Sequence, residues 1–162
     1  MVEGLHRVVI TGLGAVTPIG NRVQDYWNGL TSGRNGVDGI TLLDASNHAC
    51  RFAAEVKAFD PAGLIEPKDA KRWDRFCKFG VVAAKQAISH AGLEITDANA
   101  HRIGMIIGSG VGGLLTMETQ AHVLDGKGPG RVSPFTVPMM IPNMASGLAA
   151  IALGTKGPSS AV

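Results

Sequence analysis

Arg102-Ile103-Gly104-Met105-Ile106-Ile107-Gly108-Ser109-Gly110-Val111-Gly112-Gly113 reads as a short apolar strand running into a glycine turn. Runs of this kind suit parallel strands covered on both faces, so a buried strand is expected over Arg102–Gly108. Behind the turn, Leu114–Leu124 reads as a helix. The same grammar opens the chain. Arg7-Val8-Val9-Ile10-Thr11-Gly12-Leu13-Gly14 makes His6–Gly14 a second buried strand ending in glycine. After the loop Thr17–Asn21, Asn21 is placed to cap a helix that reaches about Leu30. Thr31–Gly39 is rich in turn residues, and Phe52–Val56 is a short strand candidate.

Asp69–Ala91 carries the strongest helical period, through Trp73, Phe76, Cys77, Val81, Ala84, Ala87, Ile88 and Ala91. Gly92 is its expected C-terminal cap. Asp125–Pro142 holds four prolines and reads as irregular. Asn143–Gly154 is a helix of small residues that suits an interior position, and Pro158–Val162 opens a further buried strand. Strands alternating with helices argue an α/β layered fold with a mostly parallel sheet.

Composition bounds the function. The 162 residues suit one domain. With 45% hydrophobic and 17% charged residues the chain is not disordered. Its 22 glycines follow no collagen period. No uninterrupted apolar run is long enough for a membrane span. Met1–Arg7 lacks the pattern of a secretory leader. A net charge of +2 is too small to argue for nucleic acid. Two cysteines make no disulfide framework, and no Cys/His set has zinc spacing, so no metal site is expected.

Gly108-Ser109-Gly110-Val111-Gly112-Gly113 fits G-x-G-x-x-G between a strand and a helix. A dinucleotide site would set a pyrophosphate on that helix N-terminus. The competing reading is a tight turn that lets backbone pass close to something bulky. Gly12-x-Gly14 fails the fingerprint, because Thr17 stands at the third glycine. Lys68, Lys71, Arg72, Arg75 and Lys78 fall at helical spacing and form a basic stripe, diluted by Glu66, Asp69 and Asp74. Such a stripe is either a solvated face or a docking surface for an acidic partner. No aromatics interleave with it as a nucleic-acid platform would require. Cys50 and Cys77 read as packing residues. The five histidines are scattered, and no catalytic constellation is legible from the residues alone.

Several segments taken together resemble the β-ketoacyl-acyl-carrier-protein synthases of the long-chain, type II class. They are Arg7–Gly14 with Thr17-Pro18-Ile19-Gly20, Phe52-Ala53-Ala54-Glu55-Val56, Asp74-Arg75-Phe76 and Arg102-Ile103-Gly104. Gly108–Gly113, Ser133-Pro134-Phe135, Pro142-Asn143-Met144 and Gly157-Pro158-Ser159 complete the set. The resemblance implies the N-terminal half of a thiolase-like fold, a layered α/β arrangement with a mixed, mostly parallel sheet, truncated in this chain. On that basis residues 1–162 are the N-terminal part of a synthase and end before the nucleophile segment. The implied chemistry is decarboxylative Claisen condensation on an enzyme-bound acyl thioester. It needs no cofactor.

No catalytic residue is then expected in the chain. The nucleophilic cysteine belongs just after Val162, and two histidines lie further on. The resemblance places Gly110, Val111 and Thr136 beside the acyl pocket. It places Lys68, Lys71, Arg72 and Arg131 in the patch that receives acyl carrier protein, in its acyl and malonyl forms. It further implies a homodimer of the full-length chain and a cytoplasmic setting, or the plastid stroma after removal of a transit peptide. No nucleic acid or membrane partner is expected. The alternatives are a non-catalytic partner similar to a chain-length factor, and a dinucleotide-binding domain built on Gly108–Gly113.

Overall fold

A computed structural model describes residues 6–162 of the chain. Its elements in order are α1 (Val23–Thr31), β1 (Asp38–Gly39), β2 (Phe52–Ala53), α2 (Pro67–Ala70), α3 (Arg75–Ala91) and β3 (Met105–Ile107). They continue with α4 (Leu114–Lys127), α5 (Thr136–Met140), α6 (Met144–Leu153) and β4 (Ser159–Ala161). Two 3-10 turns lie at Ala100–Arg102 and Pro129–Arg131. The architecture is mixed α/β, as the alternating pattern implies. β3 and β4 pair in parallel, Met105 opposite Ser159 and Ile107 opposite Ala161. β1 and β2 form a separate antiparallel pair.

α6 packs against α3 and against the β3–β4 pair. Small side chains make this close approach possible. Ala145, Ser146 and Ala149 are buried on α6 opposite Cys77, Val81 and Val82 of α3. The buried Ser146 hydroxyl stays satisfied by donating to the Asn143 carbonyl at 2.9 Å. α6 is interior on one face only, since Ile151 is 77% exposed. Gly92 and Gly154 close α3 and α6 in the left-handed conformation, as helix-ending glycines do.

Five sequence expectations need correction. Val8, Val9 and Ile10 join no ladder among the described residues and lie exposed, so His6–Gly14 is not a buried strand here. The backbone donors that follow go to a helix instead. Leu13 N donates to His90 Nδ1 and Ala15 N to Gln86 Oε1, both at 3.0 Å. Gly14 permits this strap, because a β-carbon there would collide with the Ala83 carbonyl of α3. The reading of Met1–Arg7 as leaderless falls largely on residues outside those described.

Asn21 does not cap α1; its side-chain amide donates to the Lys57 and Ala58 carbonyls, and Arg22 stands at the cap without a side-chain bond. The helix expected over Asp69–Ala91 is broken between α2 and α3. Asp74 breaks it by capping α3, its carboxylate accepting from Phe76 N at 3.3 Å. Asp125–Pro142 is more ordered than its prolines suggest. α4 runs on to Lys127, and α5 tolerates Pro138 in its first turn, where a helix needs no N–H. The strands are also shorter than expected. Ile106 is 70% exposed, so β3 is covered on one face only, and β4 is not the buried strand expected, since Ser159 and Ser160 lie exposed.

Candidate functional site

The glycine turn between β3 and α4 is held from within the chain. Gly112 has φ +82°, and Gly112 N donates to Ser109 Oγ at 3.1 Å. A β-carbon on Gly113 would collide with the Met139 carbonyl, and Gly113 N donates to the Met140 carbonyl at 2.8 Å. The bulky neighbour that these glycines accommodate is the backbone of α5.

The first turn of α4 is likewise occupied. Leu114 N bonds the Gly112 carbonyl. Thr116 N donates to Asp74 Oδ2 at 3.0 Å, and the Thr116 hydroxyl donates to the same oxygen. A carboxylate therefore sits where a pyrophosphate would be received. This overturns the dinucleotide reading of Gly108–Gly113: Leu114, Thr116 and Met117 N–H already have partners, and the anion at the helix start is the protein's own carboxylate.

The residues expected beside an acyl pocket lie on these two linked elements. Gly110 faces open space, and Val111 is 62% exposed. Thr136 opens α5 half-buried, its hydroxyl donating to the Ser133 carbonyl at 2.6 Å. The turn touches the far end of α5, so one contact connects the turn's position to that of the Thr136 helix. A cavity of about 210 Å³ lies nearby, lined by Arg72, Trp73, Cys77, Phe135, Met139 and Met144 among others. Gly110, Val111 and Thr136 do not line it.

The basic stripe divides where the helix breaks. Lys68 lies on α2, and Lys71 and Arg72 lie in the break after it; all three are exposed. Arg75 turns inward, donating to the Val56 carbonyl at 2.6 Å and lying 5.0 Å from the Phe79 ring centre. Lys78 is half-buried. The free positive surface is therefore Lys68, Lys71 and Arg72, with Arg131 exposed in the 3-10 turn before α5. Arg72 stacks 5.4 Å above the Phe135 ring, which joins this surface to the α5 segment. None of these four cations enters an ion pair among the described residues.

Cys77 is fully buried, and burial, helped by the charge of Asp74, pushes its thiol up to about 12. It is a packing residue and holds its proton, which removes it as a nucleophile. Cys50 departs from the packing expectation: it is exposed, its thiol 3.4 Å from the Phe52 carbonyl oxygen. Among the described residues no three His, Cys, Asp or Glu side chains are placed to hold a metal ion. No helix among them is long and apolar enough to cross a membrane.

Asp74 is the residue that sequence reasoning undervalued. It counts as a dilution of the stripe only while the helix is taken as continuous. The readable signal was an aspartate directly before an apolar helical run, the signature of an N-cap.

Residues 5–162 match the family model described as the β-ketoacyl synthase N-terminal domain. A 3-oxoacyl-[acyl-carrier-protein] synthase 2 from a Synechocystis strain is 59% identical over 154 residues, covering 95% of this chain and 37% of the relative. A protein of the same name from Staphylococcus aureus is 49% identical over 155 residues, covering 96% of this chain and 37% of the relative. Among solved structures, the ishigamide ketosynthase/chain length factor superposes with a TM-score of 0.78 at 26% identity, covering 95% of this chain and 39% of its own. The chain thus spans less than two-fifths of the length of these relatives. Together these likenesses confirm the thiolase-like expectation for the fold and place the chain in the β-ketoacyl synthase family, as its N-terminal domain.

Proposed function

We propose that this chain is the N-terminal part of a fatty-acid condensing enzyme. The observation that carries the reading is the 59% identity, over nearly the whole chain, to a 3-oxoacyl-[acyl-carrier-protein] synthase 2. In the proposed reaction a cysteine thiolate takes an acyl group from acyl carrier protein, releasing the carrier thiol. Malonyl carrier protein then loses carbon dioxide, and the resulting carbanion attacks the acyl thioester. The carbon–carbon bond forms as the cysteine thiolate leaves. We assign the cysteine to a segment shortly after Val162, and the two histidines that assist decarboxylation to a position further on. Cys77, buried and protonated, fits a structural role.

The described surface supports a division of labour. Lys68, Lys71, Arg72 and Arg131 present exposed positive charge that suits an acidic carrier protein. Gly110, Val111 and Thr136 are assigned to the acyl pocket. A threonine leaves more room than the phenylalanine of some relatives, which favours longer acyl chains. The same reading carries a homodimer and a cytoplasmic enzyme, or a stromal one in a plastid.

The runner-up is a non-catalytic subunit similar to a chain-length factor. The solved neighbour is a ketosynthase/chain length factor, whereas the relatives at 59% and 49% identity both bear the name of a synthase. The sequence likeness favours the enzyme. The test is to supply acyl and malonyl carrier proteins to a full-length synthase carrying this chain. Release of carbon dioxide with formation of a 3-oxoacyl carrier protein is expected. No condensation by a folded full-length protein would overturn the reading.

A further inference from the structure

We infer that Asp74 is a positioning residue that sets the two walls of the acyl site against each other through Thr116. The inference rests on the acyl-pocket reading of Gly110, Val111 and Thr136. One carboxylate meets two helix starts: Oδ1 accepts from Phe76 N at the start of α3, and Oδ2 accepts from both the backbone N–H and the hydroxyl of Thr116 in the first turn of α4. Both residues are buried, each 7% exposed, which shields these bonds from water.

The arrangement has a mechanical consequence. The turn that bears Gly110 and Val111 runs directly into α4, so fixing the first turn of α4 fixes the turn. That turn in turn bonds α5, which bears Thr136, through Gly113 N and the Met140 carbonyl. Gly113 also leaves no slack, because a β-carbon there would stand 3.0 Å from Asp74 Oδ2. Asp74 is therefore the common reference for both walls. It touches no substrate in this arrangement; it acts by holding α4, and α4 holds the turn. Charge complementarity adds to the hold, since a carboxylate at the N-terminus of a fourteen-residue helix meets its positive dipole end.

The test uses the full-length synthase and compares kcat and KM over short and long acyl carrier substrates. Thr116→Val keeps the shape and the backbone N–H but removes the hydroxyl donor. Asp74→Asn leaves one acceptor oxygen where the carboxylate has two, so Phe76 N and Thr116 can no longer both be satisfied. Each is expected to lower kcat/KM for the longest acyl substrate by ~10- to 100-fold, the scale on which small misplacements act. The shortest acyl substrate should suffer far less. Thr116→Ser restores the hydroxyl and should restore the wild-type chain-length profile.

A merely structural role would give a different result. Stability would fall while kcat/KM per folded enzyme stayed level, or fell equally at all lengths; either overturns the positioning role. If Asp74→Asn fails to fold, the Thr116→Val and Thr116→Ser pair still decides. A wild-type synthase that condenses nothing overturns the enzyme reading itself, and the inference with it. Failure of the positioning role alone is a condensing wild type with a flat variant profile.

Discussion

Thr136 and the two cysteines show how single side chains carry the account. Thr136 is half-buried at the first turn of α5, where a larger side chain would project toward whatever the α5 segment lines. Under the acyl-pocket assignment, Thr136→Phe in the full-length synthase should cut kcat/KM for the longest acyl substrates by about tenfold or more relative to short ones, the scale of steric selection in apolar pockets. An unchanged length profile would remove Thr136 from the pocket. Cys77 and Cys50 make a second, independent check. The buried Cys77 thiol has its pKa raised from 9.0 to about 12, so the native thiol stays protonated where an exposed one ionises. Because the folded value lies above the unfolded one, the stability gained is full below pH 9 and is lost as pH rises toward 12. Native alkylation at pH 8 followed by peptide mapping should modify Cys50 and spare Cys77, with both modified after unfolding. Rapid native modification of Cys77 would contradict its placement.

At the scale of elements, what sequence could reveal depended on whether a signal was local. α6 was legible because small residues in Asn143–Gly154 say both helix and close packing. A mostly parallel sheet was legible from strands alternating with helices, but the pairing of β3 with β4 was not, since Ser159-Ser160-Ala161 carries no apolar signal. The strap at Leu13–Ala15 was not, since its partners His90 and Gln86 are distant in sequence and no local rule ties a loop N–H to a helix side chain. The break before α3 was missed because the apolar period continues across it while the hydrogen bonds do not. Asp74 marked it, yet its second partner Thr116 is a tertiary contact that no spacing announces. The basic residues at 68, 71, 72 and 131 were readable as charge, but only the fold shows that Arg75 turns inward and leaves the stripe. One substitution tests the strap. Gly14→Ala must displace the Ala83 carbonyl or the strap itself, and should destabilise the protein by ~1–3 kcal/mol in denaturant unfolding. Gly110→Ala, where a β-carbon meets nothing within 4 Å, should leave the unfolding midpoint nearly unchanged. Equal effects at the two positions would contradict the close approach.

At the scale of the whole molecule, the α3–α6 core, the α4–α5 unit and the exposed cations make one frame. The frame's proposed task is to seat a carrier protein and shape an acyl site. Lys68→Glu isolates the charge contribution, because Lys68 makes no ion pair among the described residues. Arg72→Glu additionally removes the stacking on Phe135. Both should raise KM for carrier-bound substrate by roughly tenfold at low salt, and the penalty should shrink as ionic strength rises. A salt-independent KM equal to wild type would leave these residues as an ordinary solvated face. The most direct test of the central claim is to map the acyl-enzyme. Full-length synthase incubated with acyl-loaded carrier protein and no malonyl carrier protein, then digested and weighed by mass spectrometry, should carry one acyl group on a cysteine shortly after Val162. Cys50 and Cys77 should remain unmodified. An acyl group on either of those, or a folded protein that takes up none, would contradict the account.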